Sequence, residues 1–331
     1  MKKIKIGQIG IGHNHGKGKM LAVQKFPELF EVVGYAEEDE TWVEKRGNLD
    51  AYKHLKRMSV EEIIEQSDAV LIECDVWNLT NYAKRCIDAG KHVHIDKPAS
   101  GSLSEFKELL DAAERKKLTV QMGYMYRYNP SVIKCLEMAK RGELGEIYQI
   151  DAEMSTYHSK EYRAWLKNFK GGSMYIFGCH LLDLILLMMG EPKSMTSFIK
   201  QTGFEGVFSD DNCFAVLEYD KAIARVTNLS VEVNGWGMRR FAVMGSKGTV
   251  EIKPIERNVC MTHAGEKTAE DAYADRKDMI EVRDVPEAER YDKMMQEFYD
   301  CITGEIENPY TYAHEYLLQK ILYQVIGGEN K

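Results

Sequence analysis

The stretch KIKIGQIGIGHNHGKGKM, from Lys3 to Met20, decides the fold. An apolar strand pattern carried by Ile4, Ile9 and Ile11 runs directly into Gly10-x-Gly12 and then into a helical pattern, the order in which a dinucleotide phosphate site is written. Gly10 permits a tight turn, Gly12 lets the main chain approach a pyrophosphate, and the N-terminus of the next helix points N–H groups at the anion. The third glycine of such a motif falls on His15, with Gly16 one place late. An imidazole there should push the helix away or turn outward. His13 and His15 also read as a metal pair, but no acid or cysteine lies beside them in sequence, so no metal is expected.

The next apolar run, EVVGYAEEDE (31–40), ends at Glu37, 21 residues after Gly16. That is where this fold places an acid that accepts from a ribose hydroxyl, and its charge repels a 2′-phosphate, favouring NAD over NADP. The plainer alternative is that Glu37 begins a solvated acidic run opening a helix. To about residue 122, strand and helix patterns alternate: Ser59 with Glu62 and Ser102 with Glu105 are capping boxes, DAVLIE and HVHID are buried strands, and LTVQMGY is a sixth strand. Alternation of this kind predicts a doubly wound parallel sheet over residues 1–122. Functional groups belong at the carboxyl ends of its strands, which singles out Cys74, Asp75, Trp77, Asp96 and Lys97. Lys97, between an acid and a proline that permits a cis bond, either serves chemistry or forms an exposed ion pair with Asp96.

Composition bounds the partners. The chain has 331 residues, 29% of them charged, with a net charge of −8, and this acidic balance without a basic cluster argues against nucleic acid. No apolar stretch reaches membrane-spanning length, and the opening residues run into a strand, so a cytoplasmic protein is expected. Seven scattered cysteines without a C-x-x-C fit reduced thiols. In the segment Ser173–Gly190 nearly every position is apolar, predicting a helix buried on all sides that nevertheless carries His180 and Asp183 on one face. They are either a hydrogen-bonded core pair or groups turned toward a cleft. Beyond residue 200 the chain reads as sheet, with a hairpin at 245–248, a charged excursion over 263–285, and closing helices over 291–301 and 313–326.

Together, Gly10-x-Gly12, the strand end Ala36-Glu37, AGKHVHIDKPAS (89–100), GYMYRYNPSV (123–132) and GGSMYIFGCHLLD (171–183) resemble the Gfo/Idh/MocA family of nicotinamide-dependent oxidoreductases over essentially the whole chain. The resemblance implies a Rossmann domain, 1–122, followed by an α+β domain, 123–331, with a large open, mostly antiparallel sheet. It also implies NAD as cofactor, with NADP disfavoured, and a small sugar or polyol as substrate. Cofactor contacts are then expected from Gly10, Ile11, Gly12, His13, Asn14, Glu37, Cys74, Asp75, Trp77, Asp96 and Lys97. Catalysis is expected from Lys97, His180 and Asp183, and substrate contacts from Tyr126, Tyr157, Arg163, Trp165 and His180. Tyr126 and Arg127 have an equally plain alternative as an interdomain clamp. Two departures stand out: Asp96 replaces the glutamate of the family's glutamate-lysine-proline signature, and Ile176 stands where the family has an aspartate four residues before the histidine. The resulting expectation is hydride transfer at a hydroxyl or keto carbon. A redox-neutral glycosidase or lyase using bound NAD, and a non-catalytic nucleotide or sugar sensor, are the alternatives. A homodimer or homotetramer built through the second sheet is expected as well.

Overall fold

The structure is a computed structural model, and it describes residues 3–256, 261–265, 278–280, 282 and 285–330. In chain order the helices and strands are β1 (Ile4–Ile9), α1 (Gly16–Gln24), β2 (Phe30–Ala36), α2 (Glu40–Arg46), α3 (Val60–Gln66), β3 (Ala69–Ile72), α4 (Leu79–Asp88), β4 (His92–Ile95), α5 (Leu103–Lys116) and β5 (Val120–Met122). There follow α6 (Pro130–Lys140), β6 (Ile147–Glu153), α7 (Lys160–Leu166), α8 (Cys179–Met189), β7 (Ser194–Lys200), β8 (Asn212–Glu218) and β9 (Ile223–Leu229). The chain closes with α9 (Gly235–Met238), β10 (Arg240–Gly245), β11 (Gly248–Ile252), β12 (Met261–Gly265), β13 (Asp278–Ile280), α10 (Asp292–Thr303) and α11 (Tyr312–Val325).

The first sheet is fully parallel, in the order β2-β1-β3-β4-β5. β3 is buried at every residue, as a parallel strand covered on both faces must be. Both capping boxes form: Ser59 caps α3 with Glu62, and Ser102 caps α5 with Glu105. The sheet has five strands, so LTVQMGY supplies the fifth and not a sixth. Between β2 and β3 the chain makes two short helices, and where another strand would lie only a single bridge joins Tyr35 to Arg57.

The second sheet has eight strands in the order β13-β12-β11-β10-β6-β9-β8-β7. Every pairing is antiparallel except β6 with β9. Strands β7 to β9 alternate in burial with period two, so one face of the sheet packs on the core and the other does not. The 245–248 turn joins β10 to β11 as a hairpin, while most of the charged 263–285 excursion lies outside the described residues. The apolar helix is buried as expected from Cys179 to Leu186, but it does not start as an α-helix: Met174–Gly178 form a π turn ahead of α8.

The chain forms two compact units, residues 1–125 with 287–319 and 329–331, and residues 126–286 with 320–328. This differs from a single division at 122/123, because the chain returns to its first unit. α10 buries Met294, Met295, Phe298 and Tyr299 on one face, Tyr299 meets Phe30 edge to face at 5.8 Å, and Gln121 donates to the Met294 carbonyl at 3.1 Å. An amphipathic helix so placed completes the apolar cover of the parallel sheet. The described cysteines are free thiols, all but Cys301 buried. No helix among the described residues is long and apolar enough to cross a membrane.

Candidate active site

In the first unit β1 lies between β2 and β3, so the direction of winding reverses at its carboxyl end, where ligands bind in open α/β sheets. The glycine loop sits there. Gly10 has φ +83°, and a Cβ on it would lie 2.3 Å from the Cys74 Cα, so only glycine fits between the ends of β1 and β3. The loop is held from several sides: the His13 amide donates to the Glu73 carbonyl at 2.9 Å, and Arg46 of α2 donates to the Ile11 and His13 carbonyls at 3.1 and 2.7 Å and to Asn14 Oδ1 at 2.8 Å. The Arg46 guanidinium also lies 4.7 Å from the Trp42 ring. With its carbonyls tied to Arg46, the loop keeps the geometry in which amides can face an anion.

Glu37 directly follows β2, and its carboxylate accepts from the Ile11 amide at 2.8 Å and from the Asp39 amide at 3.0 Å. It therefore belongs to the loop and is not merely part of a solvated run. Asp75 accepts from the Trp42 indole at 3.4 Å, and burial raises its carboxyl. Cys74 is buried and burial pushes its thiol well up, whereas Trp77, in a short helical turn, is 47% exposed.

His15 does not behave as expected at the third glycine position. Its ring neither displaces α1 nor turns outward; Nδ1 lies 3.1 Å from Asp96 Oδ2. Close packing of helix on strand is supplied one residue later, where a Cβ on Gly16 would come within 3.0 Å of the Glu73 Cβ. Asp96 also receives His13 Nδ1 at 2.8 Å and Lys19 Nζ at 2.7 Å, all on Oδ2, while its Oδ1 accepts from the Lys97 amide at 2.7 Å. Lys19 reaches Glu73 Oε1 at 2.9 Å, and His94 Nδ1 meets Gln121 Oε1 at 2.8 Å. The ground for setting aside a metal pair thus fails: the fold brings an acid, 81 residues distant from His15, onto both imidazoles.

Electrostatics in this cluster follow from burial. Burial lowers His13 and takes His15 down to about 3. Burial opposes the charge on Asp96, yet His13, Lys19 and His15 hold its carboxyl well below the usual range. Burial pushes Glu73 well above that range. For Lys19, burial is outweighed by Asp96 and Glu73, which raise its pKa. Lys97 is 4% exposed and precedes a cis proline, and Asp96 is fully buried, so these two are not an exposed surface pair.

In the second unit His180 is buried on α8, with the Tyr126 ring edge-on at 4.9 Å and an interplanar angle of 90°. The Tyr126 hydroxyl donates to Glu256, which also pairs with Arg239. Arg127 clamps both oxygens of Asp183, at 2.9 and 2.7 Å. Arg163 is fully buried and committed to the Phe204 carbonyl at 2.8 Å and to Glu205, so it pins that turn. Tyr157 is 51% exposed and Trp165 packs on Tyr162 and Phe169. His158, not singled out from sequence, is stacked between Tyr162 at 4.4 Å and Phe177 at 4.9 Å.

Sequence reasoning also missed Lys19, Glu73, Arg46 and the Arg127–Asp183 pair. A signal existed for Glu73, an acid closing the apolar run DAVLI, but Lys19 is camouflaged in the basic run GKGKM. Trp42 and Arg46 stand four apart, a spacing that places both on one helix face.

Two family models match: the oxidoreductase family NAD-binding Rossmann fold over residues 4–124, and the oxidoreductase family C-terminal alpha/beta domain over residues 137–317. Among curated proteins, the uncharacterised oxidoreductase YhhX of Escherichia coli is 28% identical over 204 residues, 60% of this chain and 57% of that protein. The scyllo-inositol 2-dehydrogenase (NADP(+)) IolW of Bacillus subtilis is 25% identical over 191 residues, 57% of this chain and 52% of that protein. The chain thus spans little more than half the length of these relatives. A levoglucosan dehydrogenase solved with NADH and levoglucosan superposes with a TM-score of 0.83 at 17% identity, covering 98% of this chain and 97% of that one, which is a likeness of fold. With a Rossmann unit, an open-sheet unit and both models matched, the chain belongs to the Gfo/Idh/MocA oxidoreductase family.

Proposed function

We propose that this protein is an NAD-linked oxidoreductase that transfers hydride between nicotinamide and a hydroxyl-bearing or keto carbon of a small polyol, sugar or glycoside. The observation that carries the reading is the glycine loop: Gly10 fitted against Cys74 at the switch point, its carbonyls tied to Arg46, and Glu37 at the end of β2. The Gly12 and Asn14 amides, the Ile11 amide once Glu37 releases it, and the start of α1 would hold the pyrophosphate. The bound dinucleotide supplies the hydride acceptor or donor. Glu37, released from the Ile11 amide, would accept from a ribose hydroxyl, and its charge disfavours a 2′-phosphate. Cys74, Asp75 and Trp77 line the neighbouring strand end.

On the chain's own side, Lys97 would stabilise the developing alkoxide and His180 would take or return the hydroxyl proton. Tyr126, edge-on to His180 and anchored on Glu256, would fix the ring and border the substrate with Tyr157 and Trp165. Asp183 and Arg163 act as positioning residues, each bound to a buried or backbone partner. The second sheet, with Phe198 and Ile223 exposed on its uncovered face, is proposed to join copies of the chain, which is expected to be cytoplasmic.

Ile176 favours a second reading, a protein that binds nucleotide and sugar without turning them over. It is buried in the π turn ahead of His180, where a carboxylate would raise the basicity of the ring. Turnover of NAD⁺ and NADH against polyols, sugars and keto sugars separates the two, with Lys97→Ala and His180→Ala alongside. Loss of kcat by about 100-fold or more in both variants with nucleotide affinity kept supports the enzyme. Tight nucleotide binding with no turnover on any substrate supports the sensor, and turnover without net NADH supports a redox-neutral lyase. Glu37→Ala should erode NAD over NADP discrimination; unchanged discrimination would remove its assigned role.

A further inference from the structure

The polar cluster beneath the glycine loop has a feature that the hydride reading does not use. Three nitrogen atoms crowd a single oxygen: His13 Nδ1, His15 Nδ1 and Lys19 Nζ lie 2.8, 3.1 and 2.7 Å from Asp96 Oδ2. His15 Nδ1 also lies 3.3 Å from Oδ1, so its ring straddles the carboxylate while His13 and Lys19 converge on Oδ2. Two imidazole nitrogens and a carboxylate oxygen, all within 4.8 Å of one another, are the convergent lone pairs that a cation requires.

We propose that His13, His15 and Asp96 form a binding site for a first-row divalent transition-metal ion of the zinc class. Around a tetrahedral centre with bonds of about 2.0–2.1 Å the ligand atoms sit about 3.3 Å apart, so the 2.8 and 3.1 Å separations from Asp96 would open slightly and the two nitrogens, within 4.8 Å of one another, would close onto the ion. Two imidazoles and one carboxylate form a recurrent set for such ions and leave a coordination position open. A second observation points the same way. Glu73 is fully buried, its Oε2 has no hydrogen-bond partner among the described residues, and that oxygen lies 3.9 Å from His13 Nδ1. An orphaned buried carboxyl oxygen is costly unless something cationic reaches it. Lys19 does not oppose the ion decisively, because it keeps Glu73 Oε1 at 2.9 Å when Asp96 Oδ2 changes partner.

Supporting groups hold the ligands in place, as metal sites require. The Lys97 amide fixes Asp96 Oδ1 at 2.7 Å, the Glu73 carbonyl and Arg46 fix the His13 backbone, and His15 packs edge-on to His13 with ring centroids 4.9 Å apart. The site lies wholly in the first unit.

The test uses the full chain stripped with a chelator and then titrated with Co²⁺ or Zn²⁺ alone, without nucleotide. Uptake is read by calorimetry and elemental analysis, and the Co²⁺ ligand field by absorption. One equivalent per chain with a four- or five-coordinate Co²⁺ spectrum is expected, weakened about 100-fold or more in His15→Ala and in His13→Gln. His15 is only partly buried, and circular dichroism verifies that its variant is folded. No stoichiometric uptake by the wild type, or uptake equally tight in both folded variants, overturns the proposal. Because nucleotide is absent throughout, this failure is distinct from failure of the hydride reading.

Discussion

Two buried aspartates, one in each unit, are held in opposite ways. Asp183 meets the Arg127 guanidinium, whose planar fork takes both carboxylate oxygens at 2.9 and 2.7 Å. Asp96 faces a crowd, with His13 and Lys19 on one oxygen, the Lys97 amide on the other, and His15 near both. Shape-matched pairing fixes a fold, whereas over-subscribed pairing leaves partners that can be exchanged when a ligand arrives. On that contrast the two aspartates should respond differently when one partner is removed.

The largest expected effect lies on the matched pair. Asp183→Ala leaves Arg127 buried without its carboxylate and should cost about 3–5 kcal/mol in denaturant unfolding. The apolar double replacement Arg127→Met with Asp183→Leu should recover most of this, since neither charge then needs burying. Equal stability of Asp183→Ala and wild type would break the contrast. A smaller loss, about 2–3 kcal/mol, is expected for Lys19→Met, because the two rings remain on Asp96. A cost for Lys19→Met as large as that for Asp183→Ala would mean that the crowded site is as rigidly matched as the clamp.

A third prediction sharpens the picture of the second unit through pH. Burial, with Arg239 and Arg163 nearby, takes His158 down to about 4, below its ordinary 6.5. The unfolded chain therefore binds the proton first as pH falls. His158 contributes stability that is fully present above about pH 6.5 and is lost as pH falls toward 4, by at most ~3 kcal/mol. His158→Phe keeps a ring between Tyr162 and Phe177 and should flatten the unfolding free energy across that window. An identical pH slope in wild type and variant would assign the acid sensitivity elsewhere.

What the sequence made legible was local or periodic. The glycine turn, the 21-residue offset to Glu37, the capping boxes and the buried helix bearing His180 all rest on spacing within one or two elements. What stayed hidden depends on chain segments meeting across long separations. Asp96 and His15, Lys19 and Glu73, Arg127 and Asp183 are 81, 54 and 56 residues apart, and no periodicity encodes such pairs. Lys19 shows why: its neighbours Lys17 and Gly18 make it look like one residue of a wet basic run, while the helix turns it into the core. The return of α10 to the first unit was hidden for the same reason, since amphipathicity tells a helix to bury a face but does not say against which neighbour.

The π turn at Met174–Gly178 has a geometric consequence for inheritance. A turn of this kind is an α-helix that has absorbed one surplus residue, and each residue advances an α-helix by about 100°. Because the widened turn takes up that residue locally, α8 keeps its phase relative to the chain ahead of it. Excising the surplus residue would narrow the spiral to a regular α-helix and leave the face that carries His180 and Asp183 where it is. A homologue lacking it could therefore keep the same aspartate clamp, and the cost of the extra residue is confined to the turn itself.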